Sequence, residues 1–219
     1  MEDERSSYPK PGQEVLLKEN PAPQIRADAD RALAASRQAR ETGDTDSEAS
    51  FARCATLLYF VTLEGLINFI YEWSEVSDSG WKSWSIARKW LNAAEQCRPG
   101  LGLSALSEEA LAATDLFPRF LELKEVRNSM VHSQAVFTVL PEDLVTEHLD
   151  RPDFCKLTGL PRRLTLFRYE HAETARNIAT EMTSWLDRSL DGASTHLHSA
   201  TAVVEFVVED HDSDIDQAG

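Results

Sequence analysis

The sequence predicts an all-α protein: an up-and-down four- to five-helix bundle with a flexible N-terminal segment and an acidic C-terminal segment. Apolar residues make up 42% of the 219 residues, which is enough to build one core. Ala, Leu, Glu and Arg are plentiful in the middle of the chain, where Gly and Pro are scarce. Apolar residues there recur at three- and four-residue steps, the spacing of amphipathic helices.

We divide the chain into three parts. Residues 1–20 are polar and contain prolines, so we expect a flexible lead-in. Residues 21–190 carry the predicted helices and form one helical domain. Residues 191–219 form an acidic tail with a strand-like stretch at 203–208, which we expect to be either disordered or an edge element.

The first predicted helix, residues 24–42, is rich in Ala and Arg and has a weak apolar stripe. A turn follows, and Asp46 or Ser47 is the expected N-cap of the next helix. That helix, residues 48–72, is apolar on nearly all sides, which predicts a central position in the bundle.

Further helices are predicted at residues 81–97 and, as a short element, 108–116. Pro118 suits the first turn of another helix that continues to about residue 134. Residues 164–169 are expected to be briefly extended, and the final helix covers residues 170–190.

We expect a cytoplasmic protein with no membrane contact. Residues 54–71 are an apolar run broken by a single charge, Glu64, but a spanning helix needs roughly 20 apolar residues, so a core helix is the better interpretation. The charged N-terminus lacks the apolar region of a secretory signal.

Three cysteines lie far apart without metal-ligand spacing, and we expect reduced, partly buried thiols at Cys54, Cys97 and Cys155.

The net charge of −15 argues against nucleic-acid binding. Its distribution weakens that argument, because residues 191–219 hold seven acidic residues and no Lys or Arg, and residues 1–20 add a net charge of −2. Residues 151–190 carry a net charge of +2. Most of the excess negative charge therefore belongs to the ends of the chain.

Arg127, Asn128 and His132 form the most informative motif. Asn128 and His132 are four residues apart and share a helix face, and the three side chains cover an arc of roughly 140°. Arginine forks onto phosphate oxygens, and histidine moves protons near neutral pH. These residue types suit RNA phosphate chemistry, which needs no metal when the ribose 2′-hydroxyl attacks its own phosphate. The structural alternative is that Arg127 and His132 cap the end of a helix in a plain helical scaffold.

The Arg-Asn-Ser-Met-Val-His sequence of residues 127–132 resembles the R-x4–6-H signature of HEPN domains, including the polar residue after the arginine. Its context is also similar, since the motif follows an apolar helical run. The Glu-Gly-Leu-Ile-Asn element at 64–68 resembles an early HEPN helix, and residues 167–190 resemble the closing helix. The similarity extends over roughly residues 48–190.

The resemblance implies a metal-independent endoribonuclease of a toxin–antitoxin, abortive-infection or other defence setting, without metal or cofactor. Two protomers would face each other across one cleft, RNA would be the substrate, and a cognate antitoxin or defence-system protein would be the partner. Carried over, Arg127 binds the phosphate, His132 transfers protons and Asn128 positions one or both.

One HEPN subset carries a modified Tyr two residues after the His; Gln134 stands there, so that antitoxin mechanism is not expected. Many HEPN domains are non-catalytic modules for dimerisation or for partner or nucleotide binding, which is the alternative function.

Glu64 and Asn68 form an i,i+4 pair on the apolar helix. A buried carboxylate needs a partner. Either the pair contacts Arg127 or His132 from behind the site, or the two residues satisfy each other at the edge of the bundle. Weaker candidates for RNA contact are the aromatic and basic side chains of Trp81, Trp84, Trp90, Arg162 and Arg163; core packing and solvation are the alternatives.

Overall fold

The computed structural model describes residues 14–18, 20–76, 79–104, 110–131, 153–192 and 203–207. The fold class is confirmed: the helices of the described residues form an all-α bundle. Its five α-helices are α1 (Ala22–Thr42), α2 (Thr45–Trp73), α3 (Ile86–Cys97), α4 (Leu116–Val131) and α5 (Tyr169–Ser189). A short antiparallel pair joins β1 (Glu14–Lys18) to β2 (Val203–Val207).

Helix α2 is the centre of the bundle. Its apolar side chains point in every direction, and α1, α3, α4 and α5 all pack against it. Within the described part of the chain, α2 alone is long and apolar enough to cross a membrane by length and composition, and 61% of its apolar window is buried inside the bundle. Its fully buried side chains include Tyr59, Phe60, Leu63, Ile67 and Ile70.

A two-residue connection sets α1 and α2 side by side. Gly43 ends α1 with a φ of 76°, a left-handed conformation that glycine adopts without strain. The side chain of Asp44 then accepts a hydrogen bond from the backbone N–H of Ser47 at 3.0 Å. The predicted N-cap, Asp46 or Ser47, is therefore wrong, because the helix already begins at Thr45.

Aromatic side chains join α2, α3 and α4. The ring of Phe120 on α4 lies 6.0 Å from the ring of Phe60 on α2 and 6.0 Å from that of Trp90 on α3. All three side chains are almost fully buried. Stacked and tilted aromatic contacts add about 0.5–1.5 kcal/mol each beyond the area they bury. This cluster fixes the position of α4 relative to the other two helices.

Charged side chains from other helices hold both ends of α5. The buried carboxylate of Glu48 on α2 accepts a hydrogen bond from the backbone N–H of Tyr169 at 3.0 Å, at the positive end of the helix dipole. At the other end, buried Arg98 donates to the carbonyl of Ser189 at 2.6 Å and to Asp191 at 2.8 Å. These contacts anchor the final helix, whose bounds differ from the predicted ones by one residue at each end.

Several predicted elements differ from the structure. The helix predicted at 81–97 is interrupted: Ser79–Ser83 is a 3-10 turn, and the hydroxyl of Ser85 caps α3. Of residues 164–169, predicted as extended, only Phe167 and Arg168 are so: Leu164–Leu166 forms a 3-10 turn that accepts a hydrogen bond from Arg53, and Tyr169 begins α5. Leu111–Ala113 is a single 3-10 turn within the predicted helix 108–116, of which residues 108 and 109 lie outside the described ranges.

The strand-like stretch predicted at 203–208 forms β2, but its pairing with β1 near the other end of the chain was not predicted. Residues 14–18, predicted as part of a flexible lead-in, pair with residues 203–207. Each strand is only five residues long, and its partner is nearly the whole chain away. The rest of the predicted lead-in and acidic tail lies outside the described residues, apart from positions 20, 191 and 192.

All three cysteines are free thiols. Cys97 and Cys155 are buried, whereas Cys54 is exposed rather than partly buried. Burial raises the pKa of the Cys97 thiol to about 11, so this group stays protonated at neutral pH.

Two glycines give opposite predictions for the same substitution. A Cβ at Gly100 would lie 1.7 Å from the backbone oxygen of Ser74, so Gly100→Ala forces the backbone apart. A Cβ at Gly65, inside α2, meets its nearest neighbour, Pro21 Cγ, at an ordinary 3.5 Å. We expect Gly100→Ala to lower the free energy of unfolding by roughly 1–3 kcal/mol. Gly65→Ala should raise it by about 0.5–1 kcal/mol. Urea unfolding measures both, and equal effects would contradict the described contact.

Candidate functional site

The predicted motif lies at the C-terminal end of α4. Phe120, Leu123 and Val126 bury the apolar side of this helix in the core. Arg127 and Asn128 follow directly and lie at the edge of the buried stripe, each partly exposed. His132, the third residue of the motif, lies outside the described residues.

The Arg127 guanidinium is held loosely. It donates from Nη1 to Oδ1 of Asn128 at 3.2 Å and from Nη2 to the Glu64 carboxylate at 3.4 Å. Its central carbon lies 5.3 Å from the centre of the Phe60 ring, a cation–π contact. The buried Nε has no hydrogen-bond partner among the described residues. Both hydrogen bonds of the guanidinium run to side chains. It therefore does not cap the carbonyls that end α4, contrary to the structural alternative.

Glu64 and Asn68 do not satisfy each other. Glu64 contacts Arg127, as the first interpretation of this pair expected. Asn68, one turn further along α2, instead accepts a hydrogen bond through Oδ1 from the ammonium of Lys89 at 2.6 Å. The two polar residues of α2 therefore each meet a cation from a different helix.

Lys89 on α3 is a residue that the sequence analysis missed. Only 7% of it is exposed, and its ammonium lies 5.0 Å from the centre of the Trp81 ring. Burial lowers the pKa of Lys89, while the nearby Glu64 and Glu72 carboxylates raise it. Its spacing in the sequence indicates this burial. Lys89 comes three residues after Ile86 and four before Ala93, so it shares the buried face of an otherwise regular amphipathic helix.

We call the five residues Glu64, Asn68, Lys89, Arg127 and Asn128 the polar cluster. Both of its amide oxygens accept hydrogen bonds from cations. Neither amide nitrogen donates to another described residue, and most N–H groups of the two cations are likewise unused. Glu64 is the single acidic member. The polar cluster therefore has more donors than acceptors, which suits an anionic ligand with several oxygens.

The weaker sequence candidates serve packing and surface pairing. Trp81 and Trp90 are buried, so they present no open face for a base. Trp84 is partly buried, and its ring is covered by the Arg88 guanidinium at 4.0 Å. Arg162 pairs with Glu125 at 3.3 Å, and Arg163 pairs with Asp153 at 2.7 Å.

No group of three or more His, Cys, Asp or Glu side chains in the described ranges could hold a metal ion. A cavity of about 360 Å³ opens elsewhere, between α1 and α5, and holds none of the predicted site residues. Its lining consists of Asp30, Leu33, Ala34, Arg37, Tyr169 and Arg176.

The coupling between Glu64 and Lys89 can be measured directly. Because the Glu64 carboxylate raises the pKa of Lys89, we expect Glu64→Gln to lower that pKa further. An NMR titration of the lysine side-chain resonances, assigned with Lys89→Arg, reports this value. The matched control is Glu173→Gln, since Glu173 bonds to Tyr169 on α5 and should leave the pKa of Lys89 unchanged. Equal Lys89 pKa values in Glu64→Gln and in the parent chain would show that the two groups are not coupled.

Comparisons of this chain with protein-family models, with curated proteins and with solved structures find no match. The resemblance to HEPN domains therefore depends on the 127–132 motif and on the order of the helices, and the function it implies is a proposal.

Proposed function

We propose that this protein is a HEPN-type, metal-independent endoribonuclease, or an RNA-targeting toxin or defence effector, that acts as a homodimer. The observation that carries the proposal is the arginine at the end of α4. Its guanidinium is partly exposed and incompletely hydrogen-bonded, and it stands beside Asn128 in a cluster rich in donors. Such a group is suited to a phosphate, because phosphate oxygens can accept the unused N–H groups.

The chemistry needs no metal. The ribose 2′-oxygen loses its proton and attacks the adjacent phosphorus, while the bond from phosphorus to the 5′-oxygen breaks and that oxygen takes a proton. The products carry a 2′,3′-cyclic phosphate and a 5′-hydroxyl. Arg127 would stabilise the charge that develops on the phosphate oxygens, and His132 would move the protons. Asn128 would position either group.

Dimerisation would bring two such sites to one cleft. A single helix spreads the motif over an arc of roughly 140°, more than one phosphate needs, so a second copy could complete each site. A cognate antitoxin or another defence-system protein would control such an activity.

The proposal is tested by RNA cleavage in EDTA. We expect purified protein to cleave RNA without metal and to leave 2′,3′-cyclic phosphate ends. His132→Ala should slow cleavage about 10²–10⁴-fold, the usual contribution of general acid–base catalysis. The matched control, His198→Ala, removes a histidine from the acidic tail and should keep full activity. Circular dichroism establishes that each variant is folded.

Full activity in folded His132→Ala would overturn the catalytic role of this residue. Absence of cleavage by the folded parent chain would favour the alternative, a non-catalytic HEPN module for dimerisation or for partner or nucleotide binding. Two observations support that alternative: a carboxylate already pairs with Arg127, and the chain carries a net charge of −15.

A further inference from the structure

Two cations from different helices contact α2 at residues that lie one helical turn apart. Arg127 reaches α2 at Glu64, and Lys89 reaches it at Asn68. Residues four apart on a helix share a face and are separated by about 6 Å along its axis. This spacing is comparable with that of successive phosphates along one nucleic-acid strand.

Lys89 lacks a full counter-charge. Its ammonium donates to the neutral amide of Asn68, and no carboxylate of the described residues lies within ion-pair distance of it. Glu64 and Glu72 act on it only through space. A buried charge without a close partner is costly, and the Trp81 ring compensates for part of that cost. The hydrogen bond between Lys89 and Asn68 is only partly buried, and an anionic oxygen on its exposed side would supply the missing partner.

Within the polar cluster two cations face one carboxylate, while Glu72, outside the cluster, acts on Lys89 only through space. Arg127 and Lys89 contribute two positive charges, and Glu64 contributes one negative charge. The amide nitrogens of Asn68 and Asn128 lie beside the two cations and donate to no other described residue, while their oxygens accept hydrogen bonds. Each cation is thus accompanied by one amide donor, so the cluster consists of two similar halves.

We propose that Lys89 and Asn68 form a second phosphate subsite, so that the site binds two successive phosphodiesters of single-stranded RNA rather than one isolated phosphate. The inference rests on the proposed function and names the substrate class of that same site. Arg127 and Asn128 bind the phosphate at which cleavage occurs. Lys89 and Asn68 bind its neighbour and fix the register of the strand.

The salt dependence of RNA binding reports how many phosphates the protein neutralises. Each neutralised phosphate of a single strand contributes about 0.7 to the slope of log K against log salt concentration. The probe is a short fluorescein-labelled 2′-O-methyl RNA, which cannot be cleaved because its 2′-oxygens are blocked. Fluorescence anisotropy at several KCl concentrations gives the slope for the parent chain and for each variant.

Lys89→Gln and Arg127→Gln should each reduce the magnitude of the slope by about 0.7, and the double variant by about 1.4. Lys89→Arg keeps the charge and should keep the parent slope. The matched control is Lys156→Gln, which removes an exposed lysine outside the polar cluster and should leave the slope unchanged. Thermal melting establishes that every variant is folded before its slope is compared.

A structural role for Lys89 gives a different result. If Lys89 serves only to pack against Trp81, Lys89→Gln lowers the melting temperature while the slope stays at the parent value, and the second subsite is overturned. In that case Arg127→Gln would still reduce the slope, and the proposed function would stand. If the folded parent chain does not bind the probe at low salt, both the subsite and the RNA-directed function are overturned.

Discussion

The constraint on which the structure depends is that α2 is apolar on nearly every side. Such a helix is stable in water only when other helices cover most of its apolar surface, and α1, α3, α4 and α5 all pack against it. The polar residues Glu64 and Asn68 interrupt this apolar surface and must find partners among the covering helices. Arg127 of α4 and Lys89 of α3 are those partners. The polar cluster is therefore a direct consequence of covering α2.

The sequence predicted the long helices because their signals are local. The apolar periodicity of α2 and α5 and the Gly43 stop after α1 act within a few residues, and their bounds agree with the structure to within about three residues. The two misses have different origins, the first local and the second long-range. Ser85 caps α3 and divides the predicted helix 81–97. The pairing of β1 with β2 depends on a partner at the opposite end of the chain.

The same distinction applies to the polar cluster. The proximity of Arg127 and Asn128 follows from their adjacency on one helix, and opposite charge made Glu64 a reasonable partner. The position of Lys89 could not be predicted with the same ease, because it depends on the rotation of α3 against α2. Trp90 of α3 packs against Phe120 of α4, which stacks on Phe60 of α2, and these contacts fix α3 relative to α2. A lysine on the buried face of a helix was the local indication of an unusual environment.

The pairing of Arg127 with Glu64 bears on whether the arginine can bind a ligand. The two groups lie 3.4 Å apart, with 24% of the Arg127 side chain and 38% of the Glu64 side chain exposed. Ion pairs this exposed contribute at most about 1 kcal/mol. A bidentate contact between guanidinium and phosphate is shorter and stronger than such a pair. Glu64 is therefore able to orient the guanidinium in the free protein, and a phosphate can displace the carboxylate at small cost. Because Lys89 lies close enough for Glu64 to affect its pKa, a displaced carboxylate would still have a cation nearby.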